Sequence, residues 1–347
     1  MIYYLLPFLV WLGFCAWKTL YTTTRLRPPH YVFALPLIFL ATLRGEVGPD
    51  TAGYIQNAQA IVWWGAQAFS GFEYGYVLLV RLSAIITSDP RVVVALISLL
   101  AAVLFFMMLH LWEQGRWNLS LVLIPISYFD FTMNGLRMGI AFPLAAISIQ
   151  QLGKKRFALF YVLAIAAISV QMTAALLLLM LFLARWGVRL SWRGCAYGIV
   201  IATTLLYPAY YFLGDKIAYK MLSYSVMSSP TSLSGSGPLL LSLYAALLAA
   251  WISNHSHRYL GFAFLLIQLA CFKISSFSYA GLRLQEMALF AQLLALAHWT
   301  LWPIRKSHFA AIVLLCCLAC GWTARNFMVT GGEPSAFIPY RFVWEAQ

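Results

Sequence analysis

Long apolar runs recur along the chain, and short polar stretches separate them. A helix needs roughly 20 apolar residues to cross the hydrocarbon core of a bilayer. The pattern predicts about 12 membrane-spanning helices in a single transmembrane domain, residues 1–347. The predicted spans are 2–18, 31–43, 91–112, 118–132, 136–152, 157–170, 172–185, 194–213, 237–253, 259–274, 281–302 and 308–329. The predicted fold class is therefore all-α, that of a polytopic integral membrane protein.

Two apolar segments, 53–69 and 74–88, do not fit the pattern of full spans. The second contains Arg81, and an arginine at mid-membrane costs about 2.5–3.5 kcal/mol on insertion scales. The first contains two adjacent tryptophans, which suit the headgroup level of a bilayer. We therefore predict that residues 44–90 form an extracytoplasmic loop with a re-entrant or interfacial helical segment.

Residues 157–185 form either one long helix or two short helices that break near Gln171. With the N-terminus outside, two helices place the cations of the short loops on the cytoplasmic side, as the positive-inside rule requires. One fused helix would move Arg185, Arg189 and Arg193 to the other side and reverse the later loops. The charge distribution therefore favours the split and predicts that both termini lie outside.

Composition agrees with a membrane protein. Hydrophobic residues make up 63% of the 347 positions and charged residues 10%, whereas about a quarter of the residues in a soluble domain are charged. The net charge of +13 is interpreted as an orientation signal, since neither a basic tail nor aromatic–basic interleaving is present in the sequence. We predict membrane lipids as partners and no nucleic acid.

The densest polar stretch is R-G-E-V-G-P-D-T-A-G-Y at residues 44–54, directly after the second predicted span. Its glycines and proline predict a tight turn. Asp50 then begins a predicted helix, with Tyr54 in the first turn. A structural role competes with a functional one here, because aspartate is a good N-cap and Arg44 is placed to extend from a span end towards water.

A second acidic position follows in F-E-Y-G-Y at residues 72–76, where Glu73 lies among aromatic residues at the start of an apolar helix. The structural alternative is a carboxylate that satisfies free N–H groups at the helix start.

Two arginines occur in G-L-R triplets at predicted span ends on the same side, Arg137 and Arg283. A charged residue at membrane depth is costly, which makes each a candidate for a polar cavity. The alternative is a structural pairing with Asp130 or Glu286.

Motifs for nucleotide or metal binding are absent from the sequence, which has no Asp-x-Asp, P-loop or G-x-G-x-x-G. All six histidines, including His255 and His257, fall on or near the predicted cytoplasmic side. Cys316, Cys317 and Cys320 fit small packing residues. We predict neither a metal nor a cofactor.

The motifs R-x(3)-G-x-D-T-x(2)-Y, E-x-G-Y and L-R-x-G-x-A together resemble the EpsG-type branch of Wzy-like bacterial polysaccharide polymerases. The residues that match are Arg44, Gly48, Asp50, Thr51, Tyr54, Glu73, Gly75, Tyr76, Leu136, Arg137, Gly139 and Ala141. Leu282–Arg283 and the final I-P-Y-R at 338–341 fit more loosely. Relatives often carry a His-x-Ser/Thr element after the middle spans, whereas this chain has Val-Gln-Met-Thr at 170–173.

The resemblance implies a GT-C-like, metal-independent glycosyltransferase in the bacterial inner membrane, with its active site facing the periplasm. Such an enzyme transfers a growing glycan, linked to undecaprenyl pyrophosphate, onto an incoming lipid-linked repeat unit of an O-antigen or exopolysaccharide. The implied partners are the lipid-linked donor and acceptor, with a chain-length regulator and a flippase as further candidates.

The candidate residues suit that chemistry. Guanidinium groups bind phosphate oxygens in bidentate fashion, so Arg44, Arg137 and Arg283 are predicted to bind the pyrophosphate. The acceptor hydroxyl needs a general base. We assign Glu73 as that base, because its aromatic neighbours predict a dry environment, and Asp50 as the residue that orients Arg44.

Three further residues are predicted to bind the substrate. Tyr54 and Tyr76 would stack on sugar rings. Gln171 replaces the histidine of relatives, and its amide can hydrogen-bond but cannot take up a proton at neutral pH.

Two other functions use the same lipid-linked substrate. An O-antigen ligase differs only in the acceptor, and ligases generally resemble a fold with a larger outer loop that contains histidine. A flippase needs a polar cavity that reaches both faces. The one-sided distribution of intramembrane polar residues favours an enzyme.

Overall fold

The structure is a computed structural model that describes residues 2–21, 28–64, 72–112, 117–186, 235–252, 255–276, 278–299, 306–328 and 337–344. Within these ranges it is helical and contains no strand. This confirms the predicted all-α fold class. The predicted span 194–213 lies outside the described residues.

Fourteen α-helices occur within the described ranges, and their bounds follow the predicted apolar runs closely. They are α1 (Ile2–Tyr21), α2 (Leu35–Thr42), α3 (Thr51–Trp64), α4 (Tyr74–Ala84), α5 (Pro90–Leu111), α6 (Trp117–Leu123), α7 (Phe129–Met133), α8 (Leu136–Gly153), α9 (Phe157–Val170), α10 (Ala174–Trp186), α11 (Ser236–Ile252), α12 (His255–Ser275), α13 (Tyr279–Trp299) and α14 (Lys306–Met328). A 3₁₀ helix, Pro28–Ala34, precedes α2, and a π-helical turn, Ile124–Tyr128, joins α6 to α7.

Three helical segments in the described part of the chain are long and apolar enough to cross a membrane. They are Pro90–Leu111, Arg258–Ser275 and Ala310–Met328. Shorter apolar helices accompany them, among them Phe157–Val170 and Ser236–Trp251. The protein is therefore a helical membrane protein, and the total of about 12 spans stays a prediction.

Helices α3 and α4 are 14 and 11 residues long, well below the roughly 20 residues that a full span requires. Trp63, Trp64 and Arg81 are all exposed on them. These lengths and exposures fit the re-entrant or interfacial segment that we expect within residues 44–90, which stays a prediction.

The chain breaks between α9 and α10, as the charge distribution predicted. Helix α9 ends at Val170, and Gln171 is extended with φ −148° and ψ 113°. The Ala174 N–H then donates to the Gln171 carbonyl at 3.0 Å as α10 begins. The two-helix alternative is therefore confirmed.

The chain divides into two compact units, 1–174 with 316–347, and 175–315. In the first unit, α5 packs against α2, α3, α4 and α8. Gly139 on α8 allows a close approach, because a Cβ there would collide with the carbonyl oxygen of Phe131. Small residues let membrane helices approach in this way. The single transmembrane domain expected over residues 1–347 stays a prediction.

The second unit is built around α11, α12 and α13. Hydrogen bonds from buried polar side chains connect these helices. The Ser242 hydroxyl donates to Gln292 Oε1 at 2.6 Å, and Gln268 Nε2 donates to the Gln285 carbonyl at 2.8 Å. Interhelical hydrogen bonds of this kind contribute about 0.6–2 kcal/mol each in membranes.

Candidate functional site

Arg44 lies in the loop between α2 and α3 and is only 4% exposed. Its Nη1 donates to the Val47 carbonyl at 3.2 Å, and its Nη2 donates to the Ser98 hydroxyl on α5 at 3.3 Å. Among the described residues, its Nε has no hydrogen-bond partner. Burial lowers the pKa of the Arg44 guanidinium to about 10, so the group stays charged at neutral pH.

The loop that carries Arg44 rests on the turn between α7 and α8. Gly48 has a positive φ of 98°, and a Cβ there would lie 2.5 Å from the Met133 carbonyl oxygen. The Thr51 hydroxyl lies 3.1 Å from the same oxygen. Gly48 therefore allows the backbone conformation of the loop, and Thr51 anchors the loop to this turn.

Asp50 is half-buried at the start of α3. Its carbonyl accepts the Tyr54 N–H at 3.0 Å, which places it at the N-cap position, and its own N–H donates to Asn134 Oδ1 at 3.3 Å. The expectation that Asp50 orients Arg44 differs from the structure. Within the described ranges, the Arg44 side chain instead donates its hydrogen bonds to Val47 and Ser98.

Glu73 is 3% exposed at the N-cap position of α4, but its side chain makes no capping hydrogen bond. Its Oε2 instead accepts from Arg137 Nη1 at 2.7 Å, and its Oε1 lies 3.5 Å from the Met172 backbone nitrogen. The capping alternative is therefore wrong. So is the pairing of Arg137 with Asp130, whose Oδ1 accepts from Asn134 Nδ2 at 2.8 Å.

Arg137 lies in the first turn of α8, and its side chain is 21% exposed. The guanidinium carbon lies 4.9 Å from the centre of the Phe72 ring, within the range of a cation–π interaction. The Tyr54 hydroxyl also interacts with this guanidinium. The Arg137 Nε is buried and hydrogen-bonds to none of the residues that the structure describes.

Tyr54 and Tyr76 pack against each other, with ring centroids 5.8 Å apart. Both rings lie in the neighbourhood of Arg44 and Arg137. Tyr76 is fully buried, and within the described chain its hydroxyl has no hydrogen-bond partner. We call these five side chains the arginine cluster: Arg44, Tyr54, Glu73, Tyr76 and Arg137. It holds two cations and one anion, so its net charge is positive.

Gln171 lies at the break between α9 and α10, beside the Met172 nitrogen that faces Glu73. Its Nε2 donates to the Thr173 hydroxyl at 3.2 Å. Its Oε1 is buried, and no described residue donates a hydrogen bond to it. The helix break thus brings the Met172 backbone N–H, next to Gln171 in the chain, to the edge of the arginine cluster.

Gly75 explains how α4 approaches this break. A Cβ on Gly75 would lie 2.7 Å from the Ser169 carbonyl carbon and 2.8 Å from its oxygen, and would collide with the side-chain hydroxyl as well. Only glycine lets the start of α4, and with it Glu73, lie this close to α9.

We expect Gly75→Ala to lower the free energy of unfolding by about 1–3 kcal/mol, because overpacking forces the backbone apart. Gly53→Ala is the matched control, since a Cβ there meets nothing within 4 Å on an exposed face of α3. Alanine in a helix should stabilise that position by about 0.5–1 kcal/mol. Thermal melting of the purified protein in detergent measures both. Equal melting temperatures for the two variants would contradict the close packing.

Arg283 lies on α13 in the second unit. Its Nη1 is 3.2 Å from Glu286 Oε2, and its guanidinium lies 5.3 Å from the centre of the Tyr279 ring. The structural pairing with Glu286 is therefore present. The structure brings Arg44 and Arg137 into one cluster, and the predicted convergence of Arg283 with them stays a prediction.

Sequence reasoning missed Ser98 and Tyr340. Ser98 is a fully buried polar residue in an apolar helix, and a lone serine in such a run is a weak signal of an interhelical bond. Tyr340 lies in the I-P-Y-R element that the motif comparison matched only loosely. In the described ranges, no group of three or more His, Cys, Asp or Glu residues is placed to hold a metal ion.

Comparison with known proteins identifies one family. The model of the EpsG family matches residues 30–342, a range that contains the whole arginine cluster. Comparisons with curated proteins and with solved structures each found no match. Because the family match extends over nearly the entire sequence, the chain belongs to the EpsG family, whose members are polysaccharide-polymerase-type proteins.

Proposed function

We propose that this protein polymerises polysaccharide repeat units carried on a lipid pyrophosphate. The observation that carries the proposal is the arginine cluster, in which buried Arg44 has only neutral hydrogen-bond partners and part-buried Arg137 pairs with the one carboxylate, that of Glu73. Each arginine also has an Nε that bonds to no described residue. Buried cations are costly unless they are paired. A ligand with several anionic oxygens, such as a pyrophosphate, would complete this site.

The same groups suit glycosyl transfer. The acceptor hydroxyl oxygen attacks the anomeric carbon of the donor glycan, and the bond from that carbon to the phosphate oxygen breaks. The lipid pyrophosphate leaves with the electron pair, and the hydroxyl proton passes to the Glu73 carboxylate. Arg44 and Arg137 stabilise the negative charge that develops on the leaving group.

The Glu73–Arg137 ion pair determines the order in which the donor binds and the base becomes active. In the free enzyme, Arg137 holds Glu73 at 2.7 Å. A donor pyrophosphate competes for the same guanidinium, and once Arg137 binds phosphate, Glu73 loses the positive partner that weakens it as a base. The donor therefore binds first and activates the base. Asp50, half-buried at the start of α3, is the alternative base.

The remaining candidates assist binding. The rings of Tyr54 and Tyr76 are largely buried, so we assign hydrogen bonds from their hydroxyls, rather than open stacking, to the bound substrate. The buried Oε1 of Gln171 accepts from a sugar hydroxyl. Arg283 is proposed as a further pyrophosphate ligand.

The proposed setting is the periplasmic face of a bacterial inner membrane, with undecaprenyl pyrophosphate as the lipid carrier. A flippase supplies the substrate, and a chain-length regulator limits the product. The cluster's excess positive charge supports a transferase or a ligase, since both have a pyrophosphate leaving group.

Deletion of the gene in its host, followed by gel electrophoresis of the surface glycan, tests the function. We expect glycans capped with a single repeat unit, and a plasmid copy should restore the ladder of longer chains. Unglycosylated acceptor would instead indicate a ligase. Loss of outward-facing lipid-linked repeats would indicate a flippase.

A further inference from the structure

The segment 337–344 lies against the loop that carries Arg44. Arg44 and Phe342 form an isolated antiparallel β-bridge. The Gly45 N–H donates to the Arg341 carbonyl at 2.8 Å, and the Val343 N–H donates to the Leu43 carbonyl at 2.9 Å. Backbone hydrogen bonds therefore hold both neighbours of Arg44.

Tyr340 anchors this segment to the end of α2. It is 5% exposed, and its hydroxyl donates to the Leu40 carbonyl at 2.7 Å. Leu40 lies in the last turn of α2, where carbonyl groups lack partners within the helix. At the other end of the segment, the Tyr4 hydroxyl donates to the Phe337 carbonyl at 2.8 Å. The Tyr340 phenol also lies in the neighbourhood of Arg44.

The Arg44 loop needs such support. It contains Gly45, Gly48 and Pro49 within a few residues, and glycine leaves a backbone conformationally free. The guanidinium itself is held by two hydrogen bonds to neutral oxygens. A long arginine side chain loses considerable rotamer entropy when it is fixed. The backbone on either side must therefore be held for the guanidinium to keep its place.

We infer that Tyr340 is a positioning residue: it fixes the backbone from Leu40 to Gly45 and thereby holds the Arg44 guanidinium ready for its anionic ligand. This inference rests on the proposed function. Tyr340 acts through Arg44 and is assigned no contact with substrate.

The test is Tyr340→Phe, which removes the hydroxyl and keeps the ring that packs against Tyr3 and Tyr4. Tyr244→Phe is the matched control, because the Tyr244 hydroxyl likewise donates to a helix carbonyl, that of Ala311, at 3.1 Å in the second unit. Both variants are purified in detergent, and their melting temperatures and affinities for inorganic pyrophosphate are measured.

We expect the two variants to lose similar amounts of thermal stability. Tyr340→Phe alone should bind pyrophosphate about three- to tenfold more weakly and should raise the KM for the donor more than it lowers kcat. Tyr4→Phe, which loosens the far end of the segment, should weaken binding in the same direction but less. Wild-type pyrophosphate affinity in folded Tyr340→Phe protein would overturn the inference.

The outcome also separates this inference from the proposed function. If wild-type protein binds pyrophosphate in a Tyr340-dependent way but forms no polymer, the positioning role stands and the polymerase proposal fails. If polymer forms and Tyr340→Phe leaves both binding and KM unchanged, the positioning role fails and the polymerase proposal stands.

Discussion

Glu73→Gln is expected to abolish polymer formation while tightening the binding of inorganic pyrophosphate. Glutamine cannot accept the proton of the acceptor hydroxyl, and general base catalysis contributes about 10²–10⁴-fold to turnover. The same change removes the anion that occupies Arg137 at 2.7 Å, so pyrophosphate no longer competes with it. Polymer length on gels and calorimetric titration of the purified protein measure the two effects. Loss of polymer together with tighter pyrophosphate binding is the result expected if pyrophosphate displaces Glu73 from Arg137.

Glu46→Gln is the control for this experiment. Glu46 is an exposed carboxylate on the same loop as Arg44, so its removal should change neither polymer nor affinity. We expect Glu73→Gln to fold, because glutamine keeps the shape of glutamate and the Arg137 side chain is 21% exposed rather than fully buried. Near-normal polymer from Glu73→Gln would transfer the role of base to Asp50, and Asp50→Asn would then abolish polymer.

Arg44→Lys is expected to eliminate most polymer and to weaken pyrophosphate binding about 10- to 100-fold, the usual effect of losing a hydrogen bond to a charged group. The two Nη atoms of Arg44 bind acceptors on different elements, Val47 and Ser98, while the Nε bonds to none of the described residues. A lysine ammonium is a point charge and cannot reproduce that fork. We therefore expect that a positive charge alone at position 44 is not sufficient for pyrophosphate binding and polymer formation.

Arg81→Lys is the matched substitution at an exposed arginine of α4. It should leave polymer and pyrophosphate affinity unchanged. Retention of more than half of the wild-type polymer by Arg44→Lys would show that a positive charge without bidentate geometry is enough, and would remove Arg44 from the proposed leaving-group site.

Local features of the fold were predictable because their physical causes are local. Apolar runs predict helices directly, and α9 matches its predicted span, 157–170, at both ends. The break at Gln171 was predictable too, since the positive-inside rule turns loop charges into a constraint on the number of helices. Short motifs were sufficient to indicate the EpsG family, whose model matches residues 30–342.

Partners within the site were not predictable, because they depend on tertiary packing. Glu73 and Arg137 are 64 positions apart, and Arg44 and Ser98 are 54 positions apart. Neighbours in sequence suggested that Asp50 would contact Arg44, and they indicated no charged partner for Glu73. Helix packing instead gives Glu73 an arginine partner and turns the Arg44 side chain towards α5. Apolar periodicity predicts where a helix runs but not which distant side chain faces it.

The arginine cluster is proposed to catalyse glycosyl transfer with a lipid pyrophosphate as the leaving group. The most direct test is purified protein reconstituted in liposomes with one lipid-pyrophosphate-linked repeat unit as both donor and acceptor. Mass spectrometry should show glycans longer than one repeat, with one free lipid pyrophosphate released for each new linkage and none from Glu73→Gln. Transbilayer movement of the substrate without any new glycosidic bond would indicate a flippase and would rule out glycosyl transfer by this cluster.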